Sequence, residues 1–379
     1  MKFWVKIMTG FLSILAICLP LQSLAENIDL QDVPYQFDAT KVKASEDSFH
    51  FLRSFVDLFY LTYKANENRL QIISNLASVN GWCVGDAHAE NFGVLLQQDA
   101  SALFTMNDMD DSGPCPVALD LYRLMVSSRL YDPNTDLDKI IEAYTQGLKN
   151  KKFDMPSSIS DLLKKGAKSG FVASDKKIKD GKIIRDPQMI EVTTSEKLQI
   201  LKAIQAYGSA LSSKVQVLDM VSTSKIGGGS GGLLRYEVLL NNNGEMLQLE
   251  FKEEVKPSIY PVATSIPKTG QRISETIAMA QGPKASKLYT VVQINKKDMM
   301  IRPRFSGNVG VTLDDSSKSE NKDIIRFEAY TLGLIHSHSV KDSDGLAKLI
   351  NSISSKSWEN DVDLMANYFD RKYKQAKQN

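Results

Sequence analysis

Cysteine is scarce in this chain, with three residues in 379. Cys18 falls in an apolar leader, so Cys83 and Cys115 allow one bridge at most and exclude a dense disulfide scaffold. A single disulfide and a pair of buried thiols both remain open. An excess of either charge is also missing: 46 basic residues face 45 acidic ones, a net charge of +1, which gives no footing to a general nucleic-acid binder. Long apolar runs are limited to Ile7–Ala25, broken by Gly10 and Pro20 and barely of spanning length. No internal repeat is visible. What is present, 42% hydrophobic and 24% charged residues, suffices for a sizeable core in one large or two modest domains.

Lys2 and Lys6 precede the apolar run, and Ser23-Leu24-Ala25 ends it as a small-x-small cleavage site before Glu26. This pattern predicts a signal peptide over 1–25, hence an exported protein, periplasmic or secreted, with no stable membrane span after cleavage.

Apolar residues recur at helical spacing from Asp47 to Ala65, where Arg53 interrupts the face and calls for a carboxylate partner. "GWCVGDAHAENFGVLL" reads as strand, loop and strand, and the segment from Ser101 to Leu130 as strand, acidic turn and helix. Amphipathic helices are predicted over 134–220, joined by a lysine-rich stretch from Lys164 to Lys182 that is first a solvated linker. From Val221 the pattern changes to two hairpins, with turns at Asn-Asn-Asn-Gly and at Lys296-Lys297, flanking a helical "GQRISETIAMAQ". Helices return after residue 305.

Three acidic-loop positions carry the chemistry. Asp86-x4-Asn91 has the spacing of a kinase catalytic loop, and Asp108-Met109-Asp110 stands where kinases place Asp-Phe-Gly. Asp120, in "DLYRL", follows as in aminoglycoside phosphotransferases. A glycine loop, with Gly227, Gly229, Ser230 and Gly232, lies between strands and is able to cover phosphates with backbone amides. In "LQLEFKEE", Leu247, Leu249 and Phe251 face one way, so Lys252 faces away from the core, where a phosphate-binding lysine belongs. Glu275 on the next helix is the expected partner of Lys252. His88 is read as a loop-fixing residue, and His336 and His338 lack the companions a zinc site needs. Cys83 lies close before Asp86 and Cys115 shortly after Asp108, so the cysteines are neighbours if those aspartates share a site.

The lysine and glycine loop follow the catalytic loop instead of preceding it, which reads as a circular permutation; Tyr330–Ser339 is the candidate for the displaced helix. With "FHFLRS", "GDAHAENFG", "LEFKEE", "IRPRF" and "LGLIHSHS" in order, the chain resembles the DUF2252 family of bacterial proteins, grouped with the protein-kinase-like superfamily. Met109 replaces the family's usual aromatic residue.

The resemblance implies an α+β, two-lobed, circularly permuted kinase-like fold with a small antiparallel β lobe and a larger helical lobe. The helical lobe is placed at 26–220 and completed by 306–379, and the nucleotide-binding lobe at 221–305. ATP and Mg²⁺ are the implied cofactors, with Asp86, Lys252 and Glu275 catalytic, the glycine loop and Lys252 on the nucleotide, and Asn91, Asp108 and Asp110 on the metal. The partners are a nucleotide and an unknown acceptor. A non-catalytic nucleotide- or anion-binding module and an AMP-transferring enzyme are the alternatives.

Overall fold

The structure is a computed structural model, and it describes residues 29–378 apart from 208–209 and 225–227. The leader expected at 1–25 and Gly227 of the glycine loop fall outside the described residues.

The chain opens with four short helices, α1 (Ala39–Ala44), α2 (Ser48–Ser54), α3 (Val56–Ala65) and α4 (Gln71–Leu76). Asp38 and Asp47 cap the first two by accepting backbone N–H groups. The helix expected from Asp47 to Ala65 breaks at Phe55 (φ -122°, ψ 64°), whose ring packs on Phe37 and Phe51. Arg53 finds its carboxylate in Glu90, at 2.5 Å.

Strands β1 (Asn80–Cys83), β2 (Phe92–Leu96), β3 (Ala102–Met106) and β4 (Gly113–Pro116) follow. β1 pairs antiparallel with β4 and β2 with β3, so the loops after β1 and β3 are held side by side. A disulfide joins Cys83 to Cys115 across β1 and β4, with Cα atoms 5.7 Å apart. The alternative of two free thiols is thereby settled.

Helix α5 (Ala118–Tyr131) is buried from Ala118 to Ser128, which is why it shows little amphipathic period. After it come α6 (Leu137–Leu148), α7 (Ser157–Ser169), the hairpin β5 (Ile178–Lys179) and β6 (Lys182–Ile183), and β7 (Ile190–Glu191). Helix α8 (Thr194–Ala206) starts on a capping box of Thr193 and Glu196.

Strands β8 (Gln216–Ser224), β9 (Leu234–Asn242) and β10 (Glu245–Glu253) lead to α9 (Thr269–Gln281), β11 (Thr290–Ile294) and β12 (Lys297–Pro303). They form one antiparallel sheet in the order β11-β12-β10-β9-β8-β7. Asn243 and Gly244 turn the first hairpin with φ of 57° and 96°. The second turns on Asn295 and Lys296, one residue before the expected place, because both hold positive φ. Ile200 and Ile204 of α8 pack with Val238, Leu249 and Phe251 on one face of this sheet. β8 begins at Gln216 and takes β7 as its neighbour, so the boundary expected at 221 falls inside a strand.

The short β13 (Val309–Gly310) joins β2, and α10 (Lys318–Ser337), α11 (Ser343–Asn351) and α12 (Ser355–Gln378) return to the helices. α10 and α6 touch backbone to backbone at Gly333 and Gly147: a Cβ on either would strike a carbonyl of the other helix. The architecture is α+β. Among the described residues no helix is long and apolar enough to cross a membrane.

Candidate functional site

The loop leaving β1 is clamped from beneath. Asp120, fully buried at the start of α5, accepts the N–H groups of Val84 (2.7 Å) and Gly85 (3.1 Å). Its Oδ2 also accepts from Nε2 of His336 on α10 (3.0 Å), whose Nδ1 meets the Tyr144 hydroxyl at 2.7 Å. Gly85 has φ of 87°, and a side chain there would strike the backbone of Asp111, so the two acidic loops lie in direct contact.

Asp86 emerges from this clamp against Arg123 of α5. Both guanidinium bonds, from Nε (3.0 Å) and Nη2 (2.6 Å), land on Oδ1. Oδ2 stands 3.6 Å from Nε2 of His88. Burial raises the Asp86 pKa against the opposing pull of Arg123. His88 is buried and its Nδ1–H donates to the Ala89 carbonyl at 2.6 Å, as expected of a loop-fixing residue. Burial and Arg53 push its pKa well down, so it is neutral and presents Nε2 as an acceptor.

Asn91 donates its amide to the Asp86 carbonyl (2.8 Å), which commits its nitrogen and leaves its oxygen as an acceptor in the cleft. Across from it, Asp108 accepts from Lys252 Nζ at 2.9 and 3.1 Å and from Arg302 at 3.5 Å. Burial acts to raise the Asp108 pKa, but Lys252 and Arg302 outweigh it and hold the group below the carboxylate range. Burial pulls the Lys252 pKa down against the opposing pull of Asp108. Lys252 also contacts Asp110, whose other oxygen is buried without a hydrogen-bond partner.

Lys252 sits on the face of β10 opposite Leu249 and Phe251, as the alternation predicts, yet it is fully buried. That face is lined with charge: Glu250 meets Arg302 at 2.5 Å and Arg235 at 3.5 Å. The glycine loop closes one end of the cleft. Gly229 lies over α2 and α3 and accepts from Lys41 (2.7 Å), while Ser230 accepts from Arg235 (2.7 Å). Gly232, with φ of 83°, has open space around it.

Glu275 requires a correction. It bonds to Gln271 at 2.8 Å, and the partners of Lys252 are Asp108 and Asp110 instead. The buried face of α9 runs through Arg272, Ile273, Thr276 and Ile277, which turns Glu275 aside. α9 offers the site Arg272, which pairs with Glu254 at 2.7 Å and donates to the Asp110 carbonyl. Sequence reasoning missed Arg272, although it stands in the quoted "GQR". It also missed Arg123, in "DLYRL", and Asp111, whose carboxylate accepts from the Ser258 N–H at 2.6 Å. Burial, with Asp86 nearby, raises the Asp111 pKa to about 6.

Two cavities meet at Asn91 and Asp108. One, of about 200 Å³, lies under the glycine loop between Asp86, His88 and Asp110. The other, of about 450 Å³, runs along the end of β12 past Gln248, Tyr289, Arg302 and Arg304. The oxygen donors Asn91, Asp108 and Asp110 suit a hard cation, and the unpartnered Asp110 oxygen is an acceptor to spare. Among the described residues no three His, Cys, Asp or Glu side chains form a self-sufficient metal cage.

A family model described as "Uncharacterized protein conserved in bacteria (DUF2252)" matches residues 33–143 and 136–378. No curated protein and no solved structure matches the chain. The match takes in both acidic loops, the six-stranded sheet and the helices that clamp them, and the chain belongs to the DUF2252 family.

Proposed function

We propose that this protein is a kinase-like phosphotransferase with a phosphoanhydride donor, for which the resemblance implies ATP with Mg²⁺. The observation that carries this reading is the pairing of Lys252 on β10 with Asp108, which lines one cleft with Asp86, Asn91 and the glycine-loop residues Gly229 and Ser230. Phosphoryl transfer demands positioning and charge neutralisation more than covalent chemistry, and these groups supply both.

In this reading Asp86 orients the acceptor hydroxyl through Oδ2, since Oδ1 is occupied by Arg123. Lys252 holds donor phosphates, and Gly229, Ser230 and Gly232 cover them. Asn91, Asp108 and Asp110 would hold Mg²⁺, which when bound neutralises phosphate charge. A circularly permuted kinase-like arrangement is part of the proposal. It is supported by α10, which follows the sheet in sequence yet places His336 on the aspartate that clamps the catalytic loop. Export through residues 1–25 also belongs to it, tested by a reporter fused after Ala25.

Thermal unfolding of residues 26–379 with and without MgATP is the first test. A magnesium-dependent stabilisation that Asp108→Ala abolishes supports the reading, whereas an equal shift in Asp108→Ala removes its basis. Product mass then separates phosphoryl from AMP transfer.

A further inference from the structure

The cavity at the end of β12 is built for negative charge. Arg302, Arg304 and Lys177 line it, and the carboxylate on its wall, Asp108, is engaged by Lys252. Arg302 is matched by Glu250, but among the described residues neither Arg304 nor Lys177 has a carboxylate within ion-pairing distance. Glu237, the other acid of this sheet face, is buried and bonded to Gln248 at 2.5 Å, and Arg304 and Lys177 oppose its charge from beyond ion-pairing distance.

The same wall offers little to a purine. Along Pro303–Ser306, Pro303 has no N–H, Arg304 spends its own on Gln248 (2.8 Å) and Ser306 on Val172 (2.9 Å), which leaves Phe305 as the one backbone donor of this stretch. A base is usually gripped by apolar walls and free backbone donors; here Leu95, Tyr289 and Phe305 share the lining with two guanidinium groups and an ammonium, and the backbone donors are few. The two cavities share Asn91 and Asp108, so Arg302, Arg304 and Lys177 of the second are continuous with the cleft under the glycine loop.

We propose that the phosphoryl donor is an oligoanion, an inorganic polyphosphate chain, whose far phosphates lie on Arg302, Arg304 and Lys177. This inference rests on the phosphotransferase reading. The acceptor oxygen attacks the terminal phosphorus, and the bond from that phosphorus to its bridging oxygen breaks. The bond's electron pair stays with the chain, now one phosphate shorter, and the hydroxyl proton passes to Asp86.

The test is titration calorimetry of Mg-tripolyphosphate, a longer polyphosphate and MgATP against the mature protein and an Arg304→Ala/Lys177→Ala double variant. Lys177 is exposed and Arg304 partly so, and unchanged thermal unfolding without ligand verifies that the variant folds. Polyphosphate is expected to bind more tightly than ATP and to lose about tenfold or more in the variant, the scale of lost charge-assisted contacts. Tighter binding of ATP, or a smaller loss, overturns the proposal. Transfer of labelled phosphate separates the two ideas: ATP-driven transfer with unaltered binding in the variant defeats the polyphosphate donor alone. Arginine-dependent polyphosphate binding with no transfer from either donor defeats the phosphotransferase reading, and with it the donor role, and leaves a polyphosphate-binding site.

Discussion

The pairing of Asp86 with Arg123 sets what the loop after β1 is able to do. A side-on guanidinium spends one oxygen and holds the other toward His88 and the cleft. Arg123 is fully buried, donates to the Leu52 carbonyl (3.2 Å) and lies over the Phe59 ring at 5.1 Å. Arg123→Ala should therefore cost about 3–5 kcal/mol in urea unfolding, because Asp86 is left as an unpaired charge with little water. Arg123→Lys should rescue little, since an ammonium reproduces neither the fork nor the ring contact. Asp111 provides a pH signature. Its pKa rises from 3.8 to about 6 on folding, so the folded state binds the proton more tightly than the unfolded chain. The contribution is complete below the unfolded value and is lost as the pH rises through about 6. Denaturation from pH 4 to 7 should show this fall, and Asp111→Asn should flatten it.

Two contacts between elements invite measurement. α6 and α10 approach closely only because Gly147 and Gly333 face each other, so Gly333→Ala must separate them or displace a carbonyl. A loss of about 1–3 kcal/mol in denaturant unfolding is expected, the usual cost of overpacking. The Cys83–Cys115 bridge closes a sequence separation of 32 between strands that carry the two acidic loops. Replacing both cysteines with serine should lower stability by about 3–4 kcal/mol on chain-entropy grounds. β1, β2, β3 and β10 were legible in the sequence because alternation and turn residues mark strands locally. β4 and the break at Phe55 were not, since each is imposed by a neighbour: β1 for the strand, and the rings of Phe37 and Phe51 for the break.

At the scale of the whole molecule, the cleft draws Asp86 and Asp108 from the early strands and Lys252 and Arg302 from the sheet, so ligand binding should stabilise all of them together. A magnesium-bound phosphoanhydride at a hundredfold excess over Kd should add about 2.7 kcal/mol to unfolding. Lys252→Met should abolish that gain in thermal unfolding, whereas Glu275→Ala should retain it, because Glu275 does not reach the lysine. The sequence by itself determined the acidic residues, the glycine loop, the strand that carries Lys252 and the face it takes, because spacing and alternation are local properties of a chain. Only the tertiary structure decided the partners: Arg123 for Asp86, Asp108 and Asp110 for Lys252, and Arg272 in place of Glu275 on the buried face of α9. Helical periodicity gives spacing along a face but not the rotation of that face toward a distant strand, and that rotation is set by which apolar side chains the core receives.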